Sequence, residues 1–203
     1  MTREQDPYCY PGTDLLRNKP DLKSHAALER FERVMVRERM ATAPLDFPIS
    51  DAGCKDIHRY LFQDVYDWAG ETRTARRWNI TKDGAEFTPA PFVDVFLKRH
   101  FLALNAEDNL RGLSAGEFAD RAAVHASALN VLHPFREGNG RTLRFFLKVL
   151  AHQAGHKLDL RRIDGPLWME GSVVGLQTGE TELLSMSLRP ALGLSGRTRS
   201  RQD

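Results

Sequence analysis

Apolar residues recur every three or four positions along most of the chain, a spacing typical of helices with one buried face. The first predicted helix covers residues 23–40, on the spacing of Leu28, Phe31, Met35 and Val36. A second begins at Ser50, a favourable N-cap, and ends at Gly70. Five more are predicted at residues 91–107, 114–132, 141–154, 163–176 and 179–189. The chain is therefore predicted to be mainly α-helical.

The pattern changes between residues 73 and 91. β-branched and aromatic residues lie on both sides of Lys82, Asp83 and Gly84, and Asp-Gly in such a setting is a strong hairpin signal. We therefore expect one β-hairpin, at about residues 73–89, beside a bundle of about six to eight helices.

The amino-acid composition indicates an ordinary globular protein. The 203 residues are 41% apolar and 28% charged, as in ordinary globular proteins. We expect one domain over residues 1–192, followed by a disordered tail or linker at 193–203 that is rich in glycine, serine and arginine. The formal net charge of +2 gives no argument for direct binding to nucleic acid. Without a signal peptide or an apolar run of about 20 residues, we expect no membrane contact and a cytosolic location.

The stretch HPFREGNGR, which begins at His133, lies at the junction of two predicted helices. Pro134 disfavours the α conformation at His133, so the preceding helix should end there. The next helix begins after Gly140, and the unpaired N–H groups and dipole of its first turn attract anions. Gly138, Asn139 and Gly140 therefore fit a phosphate-binding loop.

Charged side chains complete this candidate site. Arg141 and Arg144 lie three residues apart on the first helical turn, so both can reach one polyphosphate. Glu137 fits a magnesium ligand, and His133 suits general-base catalysis near neutral pH. Taken singly, each residue also has a structural interpretation, as a helix end, a helix-terminal charge, a simple turn or half of an ion pair. Their conjunction in twelve residues favours the site.

Other kinds of site are not supported. Leu143 stands where a GxGxxG loop needs its third glycine, and no GxxxxGK[ST] loop is present, which excludes dinucleotide-binding and P-loop folds. His152 and His156 lack an acidic partner for zinc. Cys9 and Cys54 are the only cysteines, and their spacing supports neither a disulfide framework nor a metal site.

Residues 133–144 match every defined position of the HPFx[D/E]GNGRxxR signature, and in this the chain resembles the Fic domain family. LFQDVYDWAGETR, residues 61–73, resembles the Fic helix that leads into the active-site flap, and YPGTDLLRNK resembles the family's N-terminal segment. The resemblance covers about residues 8–190. It implies a Fic-type helical bundle with a hairpin flap. It also implies transfer of AMP from ATP to a protein hydroxyl, with release of pyrophosphate.

The resemblance also implies residue roles. His133 would deprotonate a Ser, Thr or Tyr hydroxyl, Glu137 would hold Mg²⁺, and Phe135 would anchor the loop in the core. The phosphates of ATP would be bound by Gly138, Asn139, Gly140, Arg141 and Arg144. Doc proteins, which phosphorylate their targets, carry lysine where this chain has Gly140, so the resemblance favours AMP transfer.

The hairpin would be the flap that pairs with an extended segment of the target protein, main chain to main chain. A hairpin that only covers the core is the alternative. The predicted docking flap consists of Thr74, Ala75, Arg76, Arg77, Trp78, Asn79, Ile80, Thr81, Lys82, Asp83, Gly84, Ala85, Glu86, Phe87 and Thr88.

Fic enzymes are commonly inhibited by a glutamate in an [S/T]xxxE[G/N] helix, and this chain lacks that motif. Glu137 and Glu170 are its only glutamates followed by Gly or Asn, and neither has Ser or Thr four residues earlier. The resemblance therefore implies a separate antitoxin that carries the motif. It implies a bacterial toxin, or the catalytic domain of a translocated effector. The target could be a type II topoisomerase subunit or a GTPase.

Two other functions stay open at this level. A Fic fold could use another nucleotide or diphosphate donor, because the signature describes diphosphate recognition more clearly than base recognition. The site could also bind nucleotide without turnover, against which the intact His133 argues.

Overall fold

The structure, a computed structural model, describes residues 5–82 and 85–194. Within these ranges it has seven α-helices, which confirms the prediction of a mainly helical fold. They are α1 (His25–Thr42), α2 (Asp51–Phe62), α3 (Val93–Ala106), α4 (Ala115–Leu132), α5 (Asn139–Gln153), α6 (Gly165–Thr178) and α7 (Glu182–Leu188). Short 3-10 helices lie at Ala90–Phe92, Asp108–Leu110, Leu160–Arg162 and Pro190–Leu192. None of the described helices has the length and apolarity that crossing a membrane requires. Most of the predicted tail, residues 195–203, lies outside the described residues.

Helix α2 starts where the sequence predicts, because the Ser50 hydroxyl accepts a hydrogen bond from the Gly53 N–H at 3.0 Å. Its predicted end at Gly70 is wrong: the helix ends at Phe62, and a series of turns follows. Val65 and Trp68 are 0% and 3% exposed although they lie in those turns. Their spacing reflected burial in the core rather than continued helix.

Helices α4 and α5 form the centre of the bundle. α4 packs against α3, α5, α6 and α7, and α5 also packs against α2. Six residues of α5 are completely buried, namely Phe145, Phe146, Leu147, Val149, Leu150 and Ala151. Each large apolar side chain buried in this way contributes roughly 1.5–3 kcal/mol. The loop that joins α4 to α5 is therefore held at both ends by well-packed helices.

The predicted hairpin is present but short. β1 (Thr81–Lys82) pairs antiparallel with β2 (Ala85–Glu86), with Thr81 opposite Glu86. The predicted turn residues Asp83 and Gly84 lie outside the described residues.

The chain that leads into β1 does not form a strand. It makes consecutive turns, in which the Ala75 N–H donates to the Thr72 carbonyl at 3.1 Å and the Arg77 N–H donates to the Thr74 carbonyl at 3.2 Å. Arg77 has a positive φ of 51°, which is incompatible with regular strand geometry. These local hydrogen bonds explain why the pairing is shorter than residues 73–89.

Candidate active site

The loop between α4 and α5 begins and ends in left-handed backbone. α4 ends at Leu132, and its C-cap residue His133 has φ 44° and ψ 60°, which agrees with the helix end that Pro134 predicts. α5 begins after Gly138, with φ 80°. A Cβ on Gly138 would lie 2.3 Å from Cζ of Phe62, so glycine is required there by conformation and by space. Gly140 has a negative φ and no atom within 4 Å of such a Cβ.

Asn139 and Phe135 hold the loop in shape. Oδ1 of Asn139 accepts from the Phe135 N–H at 2.8 Å, and its Nδ2 donates to the Phe135 carbonyl at 2.7 Å. The Phe135 ring is 1% exposed and lies 3.9 Å, centroid to centroid, from the ring of His58. The Asn139 amide is therefore engaged within the loop. The residues of the first α5 turn keep their backbone N–H groups for an anion.

His133 faces a cleft of about 320 Å³ between the loop and the hairpin. The cleft is lined by Ile80, Thr81, His133, Arg136, Glu137, Asn139 and Gly140. The His133 ring stacks on Phe87 of the hairpin, with centroids 3.8 Å apart and an angle of 20° between the planes. The structure thus brings the proposed base, the proposed metal ligand and the glycine loop to one cavity.

Arg141 is held by two carboxylates. Its guanidinium donates to Glu137 Oε1 at 3.2 Å and lies 2.6 Å from Glu32 Oε1 of α1. Glu32 is 8% exposed and also accepts a hydrogen bond from the Tyr66 hydroxyl. Burial and the charge of Glu32 raise the pKa of Tyr66. A second cleft of about 530 Å³ opens on this side, and Glu137 lines both cavities.

Arg144 differs from Arg141. It is half-buried, and within residues 5–82 and 85–194 its side chain forms no hydrogen bond or ion pair. Burial lowers the pKa of the Arg144 guanidinium, and the charge of Arg141 lowers it further. Arg141 and Arg144 are both positively charged and lie close together, and Arg144 has no carboxylate partner among the described residues. The remaining positive charge is one that an anionic ligand would neutralise.

Among the described residues of the predicted docking flap, Ile80 and Thr81 line the cleft. Phe87 is 9% exposed and packs on His133 instead of facing outward. The Thr88 N–H donates to the Val131 carbonyl of α4 at 3.1 Å. The base of the hairpin is therefore tied to the bundle.

Several residues that shape the site were missed from the sequence. Glu32 lies between Leu28 and Val36 on the buried stripe of α1, and an acid at such a position was a usable signal. Arg136, the variable position of the signature, pairs with Asp6 at 2.7 Å. No local pattern pointed to that contact, because the two residues are 130 positions apart in the chain.

The Fic/DOC family model matches residues 48–151. The protein adenylyltransferase VbhT of Bartonella schoenbuchensis is 36% identical over 187 residues, which are 91% of this chain and 38% of VbhT. The chain thus spans well under half of that relative. The probable protein adenylyltransferase y4lH of Sinorhizobium fredii is 36% identical over 83% of this chain and 87% of its own length. The probable protein adenylyltransferase Fic of Escherichia coli is 31% identical over 95% and 94%.

A comparison with solved structures points to the same family as these relatives. The BepC effector protein of Bartonella tribocorum, solved with bound AMPPNP, is 30% identical and superposes with a TM-score of 0.78, covering 88% of this chain and 92% of that one. The HPFREGNGR loop, the helix-bundle fold and these relatives agree, and the chain belongs to the Fic/DOC family.

Proposed function

We propose that this chain is a protein adenylyltransferase that transfers AMP from ATP to a Ser, Thr or Tyr hydroxyl of a target protein. The observation that carries the proposal is one cleft that contains His133, Glu137 and the first turn of α5 beneath a hairpin. Relatives with 31–36% identity over most of the chain carry the name protein adenylyltransferase, which supports the same activity.

In the proposed reaction, His133 takes the proton of the target hydroxyl while its oxygen attacks the α-phosphorus of ATP. A new oxygen–phosphorus bond forms, the bond from the α-phosphorus to the oxygen bridging to the β-phosphate breaks, and pyrophosphate leaves. The protein supplies mainly position and charge, since phosphoryl-type transfer needs little covalent chemistry from the enzyme. The fixed ring of His133 against Phe87 fits this role.

The phosphates would lie across the start of α5. The Gly138, Asn139 and Gly140 segment would bind the α- and β-phosphates through backbone N–H groups, where the positive end of the helix dipole also acts. The Gly138 N–H, which donates to Glu137 Oε1 at 2.8 Å, would have to change partner to do so. Arg141 would contact the β-phosphate region, and Arg144 would contact the γ-phosphate. The guanidinium of Arg144, which has no hydrogen-bond or ion-pair partner among the described residues, supports its assignment to the end of the triphosphate.

Glu137 would hold Mg²⁺. Its side chain is 43% exposed and lines the cleft. Within the described part of the chain, its hydrogen bonds are accepted by Oε1, from the Gly138 N–H and from Arg141. One carboxylate together with substrate phosphates is a common magnesium site, so the residues present fit the ion. When bound, the ion neutralises phosphate charge.

The hairpin would align the target. An extended target segment pairing beside Ile80 and Thr81 would bring its hydroxyl toward His133, since these two residues line the same cleft. Such main-chain pairing sets the register of the target with little sequence selectivity. Target classes that fit the proposal are a type II topoisomerase subunit and a GTPase. The chain would act in the bacterial cytoplasm or after translocation as an effector, with no contact to nucleic acid or membrane.

The first experiment compares ATP labelled on the α-phosphate with ATP labelled on the γ-phosphate. Transfer of the α-label alone is expected. His133→Ala should abolish it while calorimetric ATP binding stays within about twofold, because the base is removed and the anion contacts remain. His152→Ala, an exposed histidine of α5, is the matched control and should retain full transfer. Undiminished labelling by His133→Ala would exclude this mechanism.

A variant of the metal ligand tests the second role. Glu137→Ala should abolish transfer, and Mg²⁺ should no longer stimulate any activity that remains, since no other described carboxylate lines the His133 cleft. Normal turnover with a normal Mg²⁺ response would show that Glu137 is not the ligand.

A separate antitoxin completes the proposal. Its inhibitory glutamate would pair with Arg144, which has no carboxylate partner among the described residues of this chain. A synthetic [S/T]xxxE[G/N] helix should suppress transfer, and the same peptide with alanine in place of glutamate should not. Arg144→Ala should make residual activity insensitive to both peptides. Equal inhibition by both peptides would rule out the glutamate–arginine contact.

A further inference from the structure

Arg73, just before the hairpin, is a completely buried arginine with an unusual set of partners. Its side chain is 0% exposed, and within the described ranges it forms no ion pair with a carboxylate. All its hydrogen-bond acceptors are backbone carbonyls. Nε donates to His133 at 2.7 Å, Nη1 to Trp78 at 3.1 Å, and Nη2 to Thr88 at 2.8 Å and Leu132 at 3.1 Å.

These acceptors join three parts of the site. Leu132 and His133 are at the C-terminal end of α4, where the helix dipole is negative and favours a cation. Trp78 lies in the segment that enters the hairpin, and Thr88 in the segment that leaves it. One planar guanidinium, with donors in a fixed fork, therefore connects both sides of the hairpin to the backbone of the proposed base.

The backbone of His133 requires such support. A left-handed conformation costs a non-glycine residue roughly 1–2 kcal/mol, so it persists only where neighbouring groups hold it. Besides the Nε contact to the His133 carbonyl, the Arg73 N–H donates to the Pro134 carbonyl at 2.8 Å. Together with the Nη2 contact to the Leu132 carbonyl, Arg73 thus binds three consecutive carbonyls at the turn that aims the His133 side chain.

The same arginine also binds the residue next to the ring that His133 packs against. Phe87 immediately precedes Thr88, whose carbonyl Arg73 binds, and the Phe87 ring stacks on His133 at 3.8 Å. Backbone and ring of His133 are therefore positioned through one residue. Burial lowers the pKa of Arg73 to about 10, so the guanidinium stays charged at neutral pH.

We propose that Arg73 is a positioning residue that fixes the distance between His133 and the hairpin, so that base and target hydroxyl stay aligned. The inference rests on the proposed adenylyl transfer for its kinetic consequence. It assigns to Arg73 a task beyond stabilising the fold, and it gives Phe87 the task of orienting the base in place of docking a target.

The test uses Arg73→Lys in the full chain, because lysine keeps the charge but loses the fork. We expect kcat to fall by about 10- to 100-fold, as for a misplaced catalytic group, with KM for ATP changed less than about twofold. Arg39→Lys is the matched control, since Arg39 pairs in a fork with Asp64 at 2.6 and 2.8 Å, away from the cleft. It should lose stability without this selective loss of kcat.

NMR of the His133 ring protons, recorded without any substrate, separates the inference from the proposed function. Stacking on Phe87 should shift these protons upfield, and Arg73→Lys should reduce the shift while Arg39→Lys preserves it. Unchanged His133 signals, or displaced signals with unchanged kcat, would overturn the inference. Absence of transfer by the wild-type chain would instead count against the proposed function.

Phe87→Leu tests the same coupling if Arg73→Lys fails to fold. Leucine preserves apolar burial but removes the ring that stacks on His133. We expect a lower kcat with unchanged ATP binding and loss of the upfield shift. A wild-type kcat in Phe87→Leu would overturn the inference.

Discussion

Acid should destabilise this protein through His58, a completely buried histidine of α2. The Gly70 N–H donates to its Nδ1 at 2.7 Å, so Nδ1 is an acceptor and the proton is on Nε2, which lies 3.1 Å from the Glu137 carbonyl. The ring stacks on Phe135 of the active-site loop. Burial lowers the pKa of His58 to about 3.

The direction and size of this change in the free energy of unfolding follow from proton linkage. The pKa of an unperturbed histidine is about 6.5, so between about pH 6.5 and 3 the unfolded chain binds a proton at His58 that the folded chain does not. The free energy of unfolding therefore falls as the pH falls, by about 1.4 kcal/mol per pH unit well below 6.5. At about pH 5 the loss from this one residue should be about 2 kcal/mol relative to about pH 8.

Urea unfolding at several pH values from about 8 to 5 measures this loss. The reference is His58→Gln, which retains hydrogen-bonding capacity and does not titrate. Burial also lowers the pKa values of His100, to about 4, and of His125, so both proteins will lose some stability in acid. The difference between the two proteins in how the free energy of unfolding depends on pH isolates the contribution of His58. Parallel curves for wild type and variant would refute the reasoning.

Two further predictions concern the loop and Arg141. Gly138→Ala should destabilise the protein by about 1–3 kcal/mol or more and abolish transfer, because a Cβ would lie 2.3 Å from Phe62 and φ is 80°. Gly140→Ala is the control and should fold normally, because its Cβ would meet open space. Equal urea midpoints for the two variants would contradict this prediction. Glu32→Gln removes the carboxylate that lies 2.6 Å from Arg141 and should lower the free energy of unfolding by about 1.5–3 kcal/mol, whereas an unchanged midpoint would show that the pair contributes nothing.

The helices and the position of the loop between α4 and α5 could be predicted because their signals are local. The apolar spacing placed all seven described helices, and the end of α4 just before His133 followed from Pro134. The end of α2 was misplaced because buried residues in tight turns, such as Val65 and Trp68, can repeat at helical spacing by chance. Hairpin length was overestimated because side chains alone do not show which N–H groups are used in turns.

The connections behind the loop could not be predicted, because they join residues far apart in the chain. Arg73 and His133 are sixty positions apart, and Glu32 meets Arg141 across more than one hundred. A charged residue among apolar ones indicates that a partner exists, but only the fold identifies it. In this chain such partners hold the predicted residues in place. Of the predicted site residues, His133, Glu137, Asn139 and Gly140 line the cleft beside the hairpin, whereas Arg141 lines the second cleft.

The most direct test of the account is mass spectrometry of a bacterial lysate incubated with the purified chain and isotopically labelled ATP, compared with the His133→Ala variant. The account predicts a protein whose Ser, Thr or Tyr residue gains one labelled AMP with the wild-type chain and remains unmodified with His133→Ala. Addition of a phosphate in place of AMP, or equal AMP labelling by both proteins, would contradict it.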